Sequence, residues 1–203
     1  MSESFKSSAL EANLAQTRYK DIFIPEEHQR FIDRSAKYFG INKRAKECIT
    51  EYHHPLSNHT FVTEELRKML MDDFWFYTRD DIPADALNIP LEMMHSLLKP
   101  EVPAKLRLNI IITLMEFANK VIKESPKHSS LITEVFSILN DAFTLKVPEP
   151  VEGPTSNKEV FIQATKHAGR YLDKVAQDEQ FKTQACELLR KMLQENYRYW
   201  QET

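Results

Sequence analysis

Apolar residues recur at intervals of three and four along nearly the whole chain, the spacing that puts them on one side of an α-helix. The clearest case is Leu106, Ile110, Leu114, Phe117 and Val121, with Leu108, Ile111, Ile112, Met115 and Ile122 covering much of the remaining circumference. A helix apolar on most sides needs neighbours on several faces, so this segment is expected at the centre of the fold. Before it, Ser8 and Glu11 have capping-box spacing and open a helix through Ala15, Thr17 and Tyr19, followed by an extended link at 22–24. Pro25, with Glu26 and Glu27 behind it, suits the first position of a second helix carrying Phe31, Ala36, Tyr38 and Phe39 and ended by Gly40. A short third helix covers about 42–52. Pro55, Ser57 and Asn58 then make a turn, and Thr60 is placed to cap a helix bearing Val62, Leu66, Met69 and Leu70.

The same pattern continues to the C-terminus. Pro90 opens a segment with Leu91, Met94, Leu97 and Leu98, which stops at Pro100. After the central helix, Ser130 caps one with Leu131, Val135, Leu139, Ala142 and Phe143 facing inward. Ser156 and Glu159 start another, with Val160, Ala164, Ala168, Tyr171 and Val175 on one stripe. A last helix begins near Asp178, its inner face formed by Phe181, Ala185, Leu188 and Met192, joined by Leu189, Leu193 and Trp200. Short links between successive helices favour antiparallel packing. The expected fold class is therefore all-α: one multi-helix domain over 1–203, built of stacked antiparallel helical hairpins in an irregular HEAT-like manner. A proline-rich connection at 146–157 precedes the C-terminal hairpin.

Glycine usage sharpens this picture. The chain has only Gly40, Gly153 and Gly169, against roughly 14 at an average use of about 7%. Phosphate-holding loops, dinucleotide fingerprints and nucleophile elbows need clustered glycines, and none are present. Gly169, inside a helical stripe, points to a close helix crossing. A net charge of −3, with 27 basic and 30 acidic residues spread along the chain, offers no basic field for a nucleic-acid backbone. The start of the chain lacks the apolar core of a secretion signal, and no apolar run reaches the roughly 18 residues of a membrane span. A cytoplasmic protein, binding neither nucleic acid nor membrane, is expected. Cys48 and Cys186 both fall in helical patterns and are read as buried free thiols.

Three places hold candidate chemistry. Glu51, His53, His54 and His59 surround the Pro55 turn, and imidazoles beside a carboxylate are the raw material of a zinc site. The His-Glu-x-x-His spacing is absent, so a turn whose histidines bond carbonyls or face solvent is the simpler reading, and no resident cofactor is expected. Phe74, Trp75, Phe76 and Tyr77 cannot all point inward from one helix, which makes Trp75 and Phe76 candidates for a contact surface, together with Tyr197, Tyr199 and Trp200. Asp72, Asp73, Asp80, Asp81 and Asp85 lack the spacing of a calcium loop and read as a solvated face.

Three strings in sequence order carry a resemblance. Residues 9–18 (Ala-Leu-Glu-Ala-Asn-Leu-Ala-Gln-Thr-Arg) are followed by His54-Pro55-Leu56-Ser57-Asn58 with Phe61-Val62-Thr63-Glu64-Glu65-Leu66-Arg67. Tyr197-Arg198-Tyr199-Trp200 comes last. In these the chain resembles the helical N-terminal extension of bacterial phosphoenolpyruvate synthase and pyruvate, phosphate dikinase-like proteins. The resemblance implies an accessory module that docks, orients or regulates the catalytic domains of a phosphotransferase. It transfers no catalytic residue, because the glycine-rich phosphate loop and the phosphate-carrying histidine with its Thr and Gly neighbours are missing here. The expected partner is another protein or such downstream domains. The alternatives are a stand-alone metal protein or enzyme at Glu51, His53, His54 and His59, and a small-molecule sensor with an inter-helix pocket near Trp75 and Met94.

Overall fold

A computed structural model describes residues 22–72, 84–99, 101–124, 126–144 and 157–201. The helix expected over 8–19, the aromatic run at 74–77, most of the acidic stretch and most of the proline-rich connection lie outside the described residues. Among the described residues the chain is all-helical, without strands. The helices are α1 (Glu26–Ser35), α2 (Phe39–Tyr52), α3 (His59–Met71), α4 (Ala84–Ser96), α5 (Ala104–Glu124), α6 (Ser130–Thr144), α7 (Asn157–Tyr171), α8 (Asp173–Gln177) and α9 (Lys182–Gln201), with one 3-10 turn at Pro126–His128. None of them is long and apolar enough to cross a membrane.

Contacts divide the chain into two compact units, 1–65 and 66–203, and the division falls within α3. In the first unit α1 packs on α2. Phe31, Ile41, Ala45, Cys48 and Val62 form its apolar interior. A polar stitch joins the two helices: the Asn42 side-chain amide donates to the Ile32 carbonyl at 2.9 Å and to Ser35 Oγ at 3.0 Å. Ser35, completely buried, itself donates to the same carbonyl. Buried polar groups are tolerated when bonded in this way. Arg44 pairs with the nearly buried Glu65 at 3.0 Å.

In the second unit α5 is central, as its apolar circumference requires. It packs against α6, α7 and α8, while α9 lies on α6, α7 and α8, and α4 reaches α6. Leu106, Ile110, Leu114, Phe117 and Val121 are all fully or almost fully buried, and so are Ile111 and Met115. Leu131, Val135, Leu139 and Phe143 of α6 face inward as expected, as do Phe181, Ala185, Leu188 and Met192 of α9.

Several local expectations are corrected. Gly40 does not end a helix: the chain turns at Ala36 and Lys37, and Gly40 lies in the first turn of α2. Phe39 accordingly points to solvent, 87% exposed. Pro25 stands one position earlier than expected, as the N-cap of α1, its carbonyl accepting from the His28 and Gln29 N–H groups. Pro90 does not open α4 but lies inside it. A proline there removes one backbone hydrogen bond and costs about 3 kcal/mol in an isolated helix. Burial of Ala86, Leu87, Ile89, Leu91, Met93 and Met94 around it outweighs that cost. The helix expected to run to Val175 bends at Leu172, separating α7 from α8, and α9 begins at Lys182 rather than near Asp178. Asp178 instead caps the intervening turn, its carboxylate accepting from the Gln180 N–H at 2.9 Å.

Gly169 does not mark a close crossing. A β-carbon built there meets no described atom within 4 Å, and its backbone is not in the left-handed region. Gly169→Ala is therefore expected to stabilise the chain by about 0.4–1 kcal/mol, by restricting the unfolded state and favouring helix. Chemical denaturation followed by circular dichroism measures this; a destabilised variant would show that a neighbour occupies the space.

Candidate functional site

The histidine turn follows α2. Its carboxylate, Glu51, is buried to 1% exposure and accepts the Asn58 backbone N–H at 2.7 Å through Oε1. Asn58 in turn caps α3: its side-chain oxygen accepts the Phe61 N–H at 3.2 Å, and its carbonyl accepts the Val62 N–H. The expected cap, Thr60, is thus replaced by the residue two positions earlier. His54 Nδ1 accepts the Leu56 N–H at 3.0 Å, which closes the turn over Pro55. His59 is the first residue of α3, and its carbonyl receives the Thr63 hydroxyl.

The four candidate ligands are therefore not gathered around one point. Glu51 and His54 use oxygen and nitrogen lone pairs to hold backbone N–H groups. Among the described residues, no set of three or more His, Cys, Asp and Glu side chains is arranged to hold a metal ion.

The fourth candidate, His53, has a partner that spacing did not reveal. Its Nε2 lies 2.7 Å from Nδ1 of His28 on α1. The ring centroids are 4.9 Å apart, with Tyr52 edge-on to both, 5.8 Å from His28 and 5.0 Å from His53. His28 is 9% exposed. Burial lowers the His53 pKa below the ordinary histidine value, because the charged imidazolium loses water. The only sequence clue was His28 on the side of α1 that also carries Phe31, one turn later.

The C-terminal aromatic candidates belong to α9. Its inner face, Phe181, Ala185, Leu188 and Met192, is buried, and Lys191 donates to the Asn140 carbonyl of α6 at 2.9 Å. A second stripe runs along the same helix at spacings of three and four. Cys186, Leu189, Arg190, Leu193, Gln194 and Tyr197 line a shallow, mainly apolar concavity of about 750 Å3. Leu193 is 58% and Tyr197 65% exposed. This corrects the expectation that Leu193 joins the inner face and that Cys186 is buried, whereas Leu189 is half-buried at its edge. Tyr199 and Trp200 belong to the last turns of α9, with side chains outside the described residues, as are Trp75 and Phe76 entirely. Met94, offered as one wall of a ligand pocket, is fully packed in the core.

The two thiols contrast. Cys48 is completely buried, its sulfur directed to the Val62 carbonyl at 3.9 Å. Burial, and secondly the Glu65 carboxylate, push its pKa far above the ordinary thiol value. The chain matches no family model, no curated protein and no solved structure.

Proposed function

We propose that this chain is a helical interaction or regulatory module that binds another protein through the outer stripe of α9. The carrying observation is the exposure of Leu193 and Tyr197 on a helix whose inner face is already fully used. A surface helix ordinarily has one apolar stripe and one polar face. Here a second stripe, from Cys186 to Tyr197, lies beside the first. An amphipathic helix of a partner packs on such a stripe with anchors at the same three- and four-residue spacing. Tyrosine suits an anchor, since its ring packs while its hydroxyl stays wet.

The resemblance to phosphoenolpyruvate synthase-like extensions supplies one class of partner: the catalytic domains of a phosphotransferase, which the module would position or regulate. The absence of clustered glycine supports an accessory rather than a phosphate-handling role for this chain.

The exposed thiol of Cys186 offers a direct test. A maleimide photocrosslinker attached there is expected to capture one discrete protein from the native host at stoichiometric yield. The double variant Leu193→Glu, Tyr197→Glu should lose that capture and weaken binding of the purified partner about tenfold or more, with helicity unchanged. Equal capture by the variant, or none by the native chain, would overturn the reading. Capture of a protein other than a phosphotransferase would keep the docking face and discard the family connection.

A further inference from the structure

The His28–His53 contact plays no part in the α9 docking face, and its geometry constrains how many protons it can hold. Nδ1 of His28 and Nε2 of His53 face each other at 2.7 Å. At that distance one nitrogen donates and the other must keep a lone pair. One added proton can be accommodated, since an imidazolium can donate to a neutral imidazole. Two cannot: both nitrogens would then carry hydrogen, and two positive charges would sit in contact with little water around His28.

We propose that His28 and His53 form a proton-operated latch between α1 and the C-terminus of α2, closed by a shared hydrogen bond and released when the pair takes up its second proton. The latch sits where it can act on structure. His28 lies in the first turn of α1 and His53 is the residue that ends α2, two helices that pack on each other.

Titratable and charged groups stand on each of these elements. On α1, Glu27 precedes His28, and the Arg30 guanidinium lies over the Phe31 ring at 4.8 Å. From α2 come the Tyr52 ring and Glu51, whose Oε1 is held by the Asn58 N–H. The turn contributes His54, held by the Leu56 N–H, and α3 begins with His59. Glu27, His28, Glu51, Tyr52 and His54 each have further bonds or ring or charge contacts.

The sign follows from proton counting. In the opened chain each imidazole takes its own proton near the ordinary value of about 6.5. The closed pair holds at most one. Below about pH 6.5 the open form therefore binds more protons, and the closed form loses stability as pH falls, by up to tenfold in population per pH unit. At pH 7 and above the latch is closed.

The test uses the full chain. Imidazole 15N NMR between pH 8 and 5 follows each of the seven histidines, while hydrogen exchange follows the amides of 26–35 and 49–58. His28 and His53 are expected to take up one proton between them before their signals move to those of an opened form. Exchange in both segments, corrected for its intrinsic pH dependence, should accelerate up to tenfold per pH unit below about 6. His28→Gln and His53→Gln should each remove the acceleration. Full protonation of both imidazoles near pH 6.5 within the closed fold would overturn the proposal. So would a shared proton without faster exchange, or acceleration that persists in folded histidine variants. The NMR titration of the native chain decides the question even where a variant fails to fold.

Discussion

Phe117→Ala is expected to lower stability by about 3–5 kcal/mol, the range for truncating a fully buried phenylalanine. Phe117 lies in the middle of the 21-residue α5 with no exposed surface. The helix is packed by α6, α7 and α8, so walls formed from several helices cannot all collapse into the space left. Part of the loss is the transfer free energy of the missing ring and part is the cavity. Total stability of a natural domain is commonly about 5–15 kcal/mol, so the loss is a large fraction of it. Urea denaturation followed by circular dichroism measures it, with a lower midpoint and an unchanged slope. Phe117→Leu keeps most of the volume and should cost less. A loss under about 1 kcal/mol for the alanine variant would mean that α5 is not the centre of the core.

Glu51→Ala is expected to cost about 1–3 kcal/mol, the penalty for leaving a polar group of a folded turn without its acceptor. Its buried carboxylate receives the Asn58 N–H at 2.7 Å, and Asn58 simultaneously caps α3. Removal of one side chain thus loosens both the turn and the entry into the next helix. Glu51→Gln retains an amide oxygen as acceptor and should recover a large part of the loss. The same denaturation experiment compares the two. Equal losses for Ala and Gln would show that the negative charge, rather than the hydrogen bond, carries the effect. A Glu51 engaged structurally in this way is poorly suited to be drawn away as a metal ligand.

Helix content and the inward faces of α5, α6 and α9 were legible because each depends on a repeated pattern. A stripe such as Phe181, Ala185, Leu188 and Met192 has several residues that agree with one another. Single-residue signals fared less well. Gly40 and Pro90 were read as punctuation, yet both lie inside helices, where packing of neighbouring apolar residues outweighs local preference. Thr60 and Asn58 are both good capping residues, and only the bond to the Phe61 N–H distinguishes them.

The candidate sites divide in the same manner. Tyr197, singled out by its place in an aromatic C-terminal run, is exposed. The exposure of Leu193 was not legible, because a residue one step round from Leu188 and Met192 fits either edge of an inner stripe. The pairing of His53 with His28 was invisible for a simpler reason. The residues are 25 positions apart and belong to different helices, so no local spacing links them.

The burial of Cys48 has a practical reach beyond packing. The thiolate is the reacting species, and this thiol is both enclosed and held protonated. Any reagent can reach it only through a passing opening of the first unit, whereas Cys186 reacts at the surface. The ratio of the two labelling rates is therefore a clock carried by the chain itself, with Cys186 marking reagent supply and Cys48 counting how often that unit opens.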